Sequence, residues 1–514
     1  MPSNNPVKQH YLEGKKLNKI EQLKAEKDGL DIGKELESFA SMGWEQMEKA
    51  DLEMRLKWYG MFWRPKTPGK FMLRLRIPNG ILDAQQTRVI ASIVERYGDD
   101  GSCDITTRQN LQLRGVLISD LPEILKRLKD VGLNSLQSGF DNPRNVTGNP
   151  LAGIDPKEII DTRPFTIELQ NFLTNNGEGN YEFSNLPRKW NTAVAGAKDN
   201  FLLHNDIIFH PVEKNGELGF GVWIGGILSS QMNSYAIPLN AWIPQNEICR
   251  MTEAVIRVWR DNGERNTRTK GRFRTYLDNV GFETVRQQIE AIYGPLTEDP
   301  GSVFDEQPRI HYGIHEQKQK DFYFVGLHVP VGRLTAEDLH DLATAASDYG
   351  NGELRLTEDQ NVIISNVKKE HLEALQNDQI LQRFPTNPGT LAAGTVSCTG
   401  SAYCSFAMVS TKDKARSLAD ELDQELHLPE EIKIHWTGCP NTCGQAYMGA
   451  IGLTGKKAKN SEGVTGEGFQ ITIGGAQGPN PSIGEVYMKT VHADEVKSVV
   501  KELLIKQFGA TSKQ

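Results

Sequence analysis

Two pairs of cysteines near the C-terminal end have the residue type and spacing for metal chemistry. Cys398 and Cys404 are separated by five residues, Cys439 and Cys443 by three, and 34 residues lie between the pairs. The second pair stands in the segment WTGCPNTCGQ, with glycine before and after the thiols and proline directly after the first. Glycine and proline favour a tight turn, whose free backbone N–H groups can donate hydrogen bonds to sulfur.

The spacing of these four thiols distinguishes between kinds of chemistry. Structural zinc sites prefer cysteines two to four residues apart, and Cys398 and Cys404 fit that pattern badly. Thiol–disulfide chemistry favours Cys-x-x-Cys, which is absent from the sequence. An iron–sulfur cluster needs four thiolates around a compact cube, and the distance between pairs can vary widely. The pattern therefore favours a [4Fe–4S] cluster, with structural zinc as the weaker alternative.

The other two cysteines, Cys103 and Cys249, stand alone in the sequence. Isolated cysteines in a cysteine-poor chain are usually small buried apolar residues. We expect both to belong to the hydrophobic core and to take no part in catalysis.

Composition and charge restrict the class of protein. The chain has 514 residues, of which 38% are hydrophobic and 24% charged, and a net charge of −8. These values are typical of a globular protein with two or three core-forming units, and they argue against broad nucleic-acid binding. No stretch approaches the apolar length of a membrane-spanning helix, and the N-terminal residues do not read as a secretory signal or transit peptide. The sequence predicts a cytoplasmic protein without integral membrane association.

Two long stretches of the chain resemble each other. Residues 71–116 and 323–367 each contain a strand pattern ending in proline, an amphipathic helix ending in Tyr-Gly, and two further strands around Thr-x-x-Gln-Asn. A second pair, GFGVWIGGI at 219–227 and GFQITIGGA at 468–476, is separated by nearly the same distance. Two independent pairs of similar segments predict an ancient duplication, with two halves of similar α+β fold.

The two copies differ where the first carries arginine. The aligned pairs are Arg74 and Gly326, Arg76 and His328, and Arg108 and Asp359. Cationic residues thus remain in one half, while the paired cysteines occur only in the other. This asymmetry predicts a single site between the halves.

These motifs are similar to those of the sirohaem-dependent nitrite and sulfite reductases. The resemblance is carried by CTGSAYC, HWTGCPNTCGQ, DITTRQNLQLRGV, LQSGFDNPRNVTGNPLAGIDP and NLPRKWN, and it extends from about Trp58 to Gly509. It implies that Cys398, Cys404 and Cys439 bind a [4Fe–4S] cluster together with Cys443. In that family the last cysteine of the set, here Cys443, also bridges the cluster to the sirohaem iron.

The resemblance also implies a set of site residues. Sirohaem carries many carboxylates, which arginine, lysine and amide groups can hold. The implied sirohaem contacts are Arg108, Gln109, Gln112, Arg114, Asn142, Arg144, Asn145, Arg268, Lys270 and Arg272. The implied substrate contacts are Arg74, Arg144, Lys189 and Asn191.

The resemblance implies a duplicated architecture of two ferredoxin-like half-domains and two sirohaem and cluster domains around a central cofactor site. The expected boundaries are an N-terminal extension at 1–64, half-domains at 65–140 and 320–385, and haem and cluster domains at 141–310 and 390–514. We expect a monomer from the family.

The family members that reduce nitrite with ferredoxin are the closest in motif. Sulfite reductases of the family carry a second lysine where this chain has Asn191. One cation fewer suits nitrite, a monoanion, better than the more highly charged sulfite. The resemblance therefore implies six-electron reduction of nitrite to ammonium in nitrate assimilation. The alternatives are an assimilatory sulfite reductase, or a non-catalytic iron–sulfur scaffold or redox sensor.

The electrons must come from a partner protein, because the sequence contains no strand–GxGxxG–helix unit for a nicotinamide or flavin. The resemblance implies reduced ferredoxin, which is small and acidic. Its docking face should then be locally basic. The candidate residues are Lys456, Lys457, Lys459, Arg64, Lys66 and Lys70.

Overall fold

The computed structural model of the chain describes residues 17–302, 304 and 306–513. The first sixteen residues of the predicted extension 1–64 lie outside the described residues. Helices and strands alternate through the remainder, which confirms the predicted α+β class. Within the described ranges, no helix combines the length and the apolar character needed to cross a membrane.

The helices are numbered in chain order. They are α1 (Lys19–Glu26), α2 (Leu36–Met42), α3 (Lys49–Glu53), α4 (Ala84–Tyr97), α5 (Leu121–Asp130), α6 (Arg163–Thr174), α7 (Ile248–Asn262), α8 (Phe273–Val280), α9 (Phe282–Tyr293), α10 (Ala336–Tyr349), α11 (Leu372–Gln376), α12 (Ile380–Arg383), α13 (Thr390–Gly394), α14 (Lys412–Glu425) and α15 (Val496–Phe508).

The strands are numbered in the same way. They are β1 (Met61–Phe62), β2 (Phe71–Arg74), β3 (Ile81–Asp83), β4 (Ser102–Ile105), β5 (Leu111–Val116), β6 (Thr147–Gly148), β7 (Thr192–Val194), β8 (Ile207–Lys214), β9 (Glu217–Ile224), β10 (Ile227–Leu228), β11 (Asn233–Ser234), β12 (Ile237–Pro244), β13 (Gly313–Glu316), β14 (Phe322–Leu327), β15 (Arg333–Thr335), β16 (Glu353–Leu356), β17 (Val362–Lys368), β18 (Thr395–Ser397), β19 (Leu426–His427), β20 (Ile434–Thr437), β21 (Ile451–Lys459), β22 (Thr465–Ile473), β23 (Glu485–His492) and β24 (Thr511–Ser512).

The two longer repeats each build a five-stranded sheet that takes one strand from the other repeat. The strand orders are β1-β2-β5-β4-β15 and β13-β14-β17-β16-β3. Strand β15 pairs antiparallel with β4, placing Leu334 opposite Cys103. Strand β3 pairs in the same way with β16, placing Leu82 opposite Leu354. Each repeat therefore completes the sheet of the other.

The exchanged strands follow the same local turn in both repeats. Asn79 and Val331 both lie in the left-handed region, at φ 56° and φ 49°, two residues before the exchanged strands begin. A β-branched residue rarely adopts this conformation, and Val331 is held there by the ammonium of Lys412, which donates to its carbonyl oxygen. Helices α4 and α10 then begin with matching capping boxes at Asp83 and Thr335.

The two half-domains share one hydrophobic core. Helices α4 and α10 pack against each other. One continuous cluster of buried side chains contains residues from both repeats, including Ile90, Leu113, Leu339 and Ile364. These four side chains are at most 2% exposed. The shared core fixes the two halves against each other.

The other two large sheets have identical topology. Strands β6, β7 and β8 run parallel and are followed by antiparallel β9 and β12. Strands β18, β20 and β21 run parallel and are followed by antiparallel β22 and β23. The similar segments 219–227 and 468–476 lie on β9 and β22, which occupy the same position in the strand order of their sheets. The predicted duplication is confirmed.

Candidate active site and cluster-binding loops

Two neighbouring parallel strands bring the four paired cysteines to one edge of a sheet. Cys398 directly follows β18, and Cys439 and Cys443 lie in the loop after β20. The strands are parallel neighbours, with Ser397 opposite Trp436. The carboxyl ends of parallel strands meet at the same edge. The order of the strands therefore explains how pairs so far apart in sequence come together.

Each of three sulfur atoms accepts hydrogen bonds from the backbone. The N–H of Gly438 donates to the Cys398 Sγ at 3.1 Å. Backbone N–H groups also donate to the sulfurs of Cys404 and Cys439. Burial raises the pKa of Cys439 to about 12, and the charges of the neighbouring thiolates add to this effect, while the N–H donors oppose it. Donors aimed at sulfur stabilise thiolate, the form that ligates iron.

The glycines of this loop permit close packing of the chain. A Cβ atom at Gly444 would lie 1.9 Å from the Trp436 carbonyl oxygen. The left-handed residues of the turn are instead Thr442 at φ 54° and Gln445 at φ 60°. Among the described residues, no three or more His, Cys, Asp or Glu side chains are placed to hold a single metal ion.

Cationic side chains from the first half gather near Cys443. Burial lowers the pKa values of Arg74, Arg108 and Lys189, and it lowers that of Arg108 to about 10. A negative charge on Cys443 acts in the opposite direction on all three pKa values. Burial also lowers the pKa of Arg144, and the charges of Arg74 and Arg108 lower it further. Arg144 is thus close enough to Arg74, Arg108 and Lys189 for the charges to interact, and Arg108 is close enough to Lys189. They form the Cys443 cation group.

Arg74 and Arg144 are oriented by the same carbonyl oxygen. Both guanidinium groups donate to Ser138, Arg74 at 3.3 Å. Arg144 also donates to the Phe140 oxygen at 2.7 Å. With the Gln112 amide oxygen turned toward it, Arg74 Nη2 donates at 3.1 Å. Neither arginine pairs with a carboxylate among the described residues, so both keep their charge for an anion.

Lys189 has no hydrogen bond or ion pair with any residue that the structure describes. Its neighbours in the electrostatic sense are Arg272, Arg108 and Arg144, which lower its pKa after burial has lowered it first. An ammonium in such surroundings gives up a proton more readily than an exposed lysine. Lys189 is therefore suited to deliver protons.

Asn191 follows Lys189 by two residues and is 1% exposed. Its backbone N–H and its side-chain amide both donate to Asp206 Oδ2, at 2.9 Å each. The same carboxylate accepts from Arg272 at 3.0 Å. The Asn191 Oδ1 atom is buried without a hydrogen-bond partner in the described part of the chain.

The sequence did not single out Asp206, His204 or Glu358, which border the same group. Arg108 donates to Asn205 Oδ1 at 2.8 Å. Glu358 is close enough to Arg108 for its charge to matter, and burial raises the pKa of Glu358 to about 8. His204 Nε2 lies 3.9 Å from Glu358 and 3.2 Å from the Gln445 amide nitrogen. The polar triplet HND directly before the apolar strand β8 is the signal that could have identified part of this set.

Three of the side-chain amides expected near the cofactor form hydrogen bonds with backbone groups of the chain. The Gln109 amide bonds to the Gly148 backbone in both directions, at 2.9 and 3.1 Å. Asn142 donates to the Gly139 carbonyl, and Asn145 bonds to the backbone of Ile77. In the structure these side chains fix the loops that carry the cations.

Three of the expected cationic contacts lie outside the Cys443 cation group. Arg114 pairs with buried Asp104 and packs on the Tyr403 ring at 4.1 Å, beside the first cysteine loop. Arg268 makes a bidentate ion pair with Asp141 at 2.8 and 2.9 Å. Lys270 is exposed.

The isolated cysteines behave largely as expected. Cys103 is 0% exposed in the half-domain core, which confirms that it is buried. Cys249 is half-buried, at the edge of the haem-domain core.

The fold and these loops define a class of protein. The nitrite and sulphite reductase 4Fe-4S domain matches residues 139–294 and 390–508. The nitrite/sulfite reductase ferredoxin-like half domain matches residues 64–131 and 315–378. The chain belongs to the nitrite and sulphite reductase family, whose domain carries an iron–sulfur cluster.

Similar proteins narrow the class further. A protein named ferredoxin–nitrite reductase from Synechococcus elongatus is 50% identical, and the match covers 97% of this chain and 98% of the relative. The chloroplastic ferredoxin–nitrite reductase of Arabidopsis thaliana is 44% identical, over 99% of this chain and 89% of its own length. The solved structure of the Mycobacterium tuberculosis NirA protein superposes with a TM-score of 0.90 at 27% identity, covering 98% of this chain and 95% of that one.

Proposed function

We propose that this chain is a ferredoxin–nitrite reductase, which reduces nitrite to ammonium at a sirohaem coupled to a [4Fe–4S] cluster. The observation that carries the proposal is the Cys443 cation group. It joins anion-binding side chains of one half to the cluster-binding loop of the other. Full-length similarity to proteins with this name supports the assignment.

The residues at the centre fit an anionic cofactor such as sirohaem. Arg74, Arg108, Arg144 and Lys189 are half-buried, and Arg144 Nε is buried without a hydrogen-bond partner in the described ranges. Asp206 is fully buried and already binds Arg272. A group of cations with so little compensation favours a ligand that carries several carboxylates.

In this proposal Cys398, Cys404, Cys439 and Cys443 would hold the cluster, and Cys443 would also be a ligand of the sirohaem iron. Together the two groups would supply the electrons that reduce nitrite. Arg108 and Arg272 would hold sirohaem carboxylates. The further proposed contacts are Gln109, Gln112, Arg114, Asn142, Arg144, Asn145, Arg268 and Lys270. The hydrogen bonds described above support a positioning role for four of these residues, which would hold the loops around the cofactor: Gln109, Asn142, Asn145 and Arg268.

The chain's own side chains bind and protonate the substrate. Arg74 and Arg144 attract nitrite as fixed charges, because guanidinium groups do not readily lose protons. Lys189 donates protons to the departing oxygens, since no acceptor among the described residues holds its ammonium. Asn191 completes the proposed substrate contacts, and its Oδ1 atom, which has no hydrogen-bond partner in the described part of the chain, would accept a hydrogen bond from a ligand.

We propose the boundaries 1–64, 65–140, 141–310, 320–385 and 390–514 for the extension, half-domains and haem and cluster domains. The protein works as a cytoplasmic monomer and takes electrons from reduced ferredoxin. A basic face beside the cluster suits this acidic donor.

The test uses the purified holoenzyme. Its visible spectrum should show sirohaem bands, and iron and sulfide should be counted against protein. Turnover should then be measured with nitrite and with sulfite under one reduced donor. Preferred nitrite turnover to ammonium supports the proposal, preferred sulfite turnover would assign a sulfite reductase, and absent sirohaem bands would assign a non-catalytic cluster protein.

A further inference from the structure

The loop that carries Cys404 exposes a large aromatic side chain at its tip. Phe406 is 71% exposed, more than any other large hydrophobic side chain in the described part of the chain. Its backbone N–H donates to the Cys404 sulfur. Aromatic side chains are enriched at protein–protein interfaces, so an exposed ring beside a proposed cluster ligand suits a contact surface. The cluster-binding loop therefore exposes an apolar side chain two residues after Cys404.

One flank of this loop is the segment that follows β1. The Tyr403 ring lies 5.1 Å from the Arg64 guanidinium, and Arg64 is only 5% exposed. Arg64 therefore cannot meet a partner directly, contrary to the sequence-based expectation, and instead attaches its segment to the loop. Lys66, two residues further, is exposed and pairs with no acid among the residues described.

The other flank is the hairpin of β21 and β22. The Ser410 N–H donates to Glu467 on β22 at 2.9 Å, which ties the hairpin to the loop. Lys457 lies opposite Glu467 in the strand register, and Lys457 and Lys459 are both exposed. Neither lysine pairs with an acid in the described ranges. Lys456, by contrast, donates to Gln470 at 2.8 Å.

We propose that Phe406 is the centre of the docking surface for the acidic iron–sulfur electron carrier, with Lys66 on one flank and Lys457 and Lys459 on the other. The inference rests on the proposed function, which requires such a donor. An aromatic anchor surrounded by charges gives binding energy at the centre and steering at the rim. Electron-transfer complexes bury little surface, so one ring is a large part of the contact. Each encounter oxidises the carrier and reduces the bound cluster by one electron.

The test is a binding titration of the holoenzyme with an oxidised, recombinant plant-type [2Fe–2S] ferredoxin. Phe406→Ala should weaken binding by about tenfold, as expected for loss of an aromatic anchor. Lys66→Glu and Lys457→Glu should also weaken binding and should reduce its dependence on salt. Ile292→Ala, an exposed apolar residue on α9, and Lys320→Glu, on the turn between β13 and β14, are the matched controls.

A second readout separates docking from damage to the cluster loop. The cluster midpoint potential, measured by redox titration, should be the same in Phe406→Ala and wild type. Unchanged ferredoxin affinity in Phe406→Ala, or a shifted potential that accounts for the loss, would overturn the proposal. Nitrite turnover of the wild type with a reduced dye tests the proposed function separately, because it requires no docking.

Discussion

Asp206 fixes the side chain of Asn191 in one orientation. Its Oδ2 atom accepts hydrogen bonds at 2.9 Å from both the backbone and the side-chain amide of Asn191. With the amide nitrogen held by this bond, the carbonyl Oδ1 has no hydrogen-bond partner among the described residues and is left for a ligand. The carboxylate also pairs with Arg272, so one buried anion organises a neutral and a cationic residue.

Replacement of this anion should therefore damage the site. Asp206→Asn leaves Arg272 buried without its counter-charge, and breaking such a pair costs about 3–5 kcal/mol. We expect a lower thermal midpoint and weaker sirohaem retention, measured by calorimetry and by the absorbance ratio of haem to protein. Asp278→Asn is the control, because Asp278 is exposed and pairs with Arg274 within one helix. Equal behaviour of the two variants would remove Asp206 from this role.

Asn191→Lys should shift selectivity toward sulfite, although by less than a free charge would. The new ammonium would lie within reach of Asp206, which partly neutralises it. A tenfold change in selectivity requires about 1.4 kcal/mol, and we expect a smaller, severalfold change. The measurement is the ratio of specificity constants for the two anions. Arg144→Ala should depress both reactions, and a ratio that stays fixed or moves toward nitrite would contradict the prediction.

Cys443→Ser should uncouple electron delivery from nitrite turnover. The predicted shared ligand is lost, so the spectra of both cofactors should change and activity should fall. Cys103→Ala is the comparison, since burial raises the pKa of Cys103 to about 12 and keeps its thiol protonated. That variant should lose about 1–2 kcal/mol of stability from the core and retain both spectra. Intact spectra with normal turnover in Cys443→Ser would show that the bridging assignment is wrong.

The stability of the protein should fall as pH drops below about 6.5. Burial lowers the pKa of His328 to about 4, so between these values the unfolded state binds more protons than the folded one. Stability therefore rises with pH in this window, by at most about 1.4 kcal/mol per pH unit for one histidine. His328→Gln should flatten the fall in thermal midpoint between pH 6.5 and 5.5. The exposed residue His427 provides the control His427→Gln, which should keep the wild-type slope.

The sequence predicted the repeated elements well because their information is local. Apolar periodicity, the turn before each exchanged strand and the Thr-x-x-Gln-Asn motif all act over a few residues. The exchange of β3 and β15 was not predictable, since short strands such as Arg333–Thr335 carry no signal for their partner. Strand pairing across the duplication depends on tertiary contacts, and the pattern within one repeat is the same with or without exchange.

The sequence predicted which residues belong to the site better than it predicted the role of each residue. The four cysteines and the cations Arg74, Arg108, Arg144 and Lys189 were identified from motifs, and the structure brings these cations together near Cys443. The sequence did not distinguish residues that face a ligand from residues that hold loops. The sequence around a side-chain amide in a polar motif does not show whether the amide contacts a cofactor or the backbone. The Gln109 amide, for example, donates to the backbone of Gly148.

The exchanged strands also bear on how such a protein arose. If the ancestral half-length chain paired with a second copy, each would have lent β3 or β15 to the other's sheet, and the pair would have formed an intertwined homodimer. Gene fusion then joins two chains that already depend on each other. Separation of the two halves of the present chain would expose an unpaired sheet edge in each half. We therefore expect separately produced halves to aggregate alone and to reassemble when refolded together.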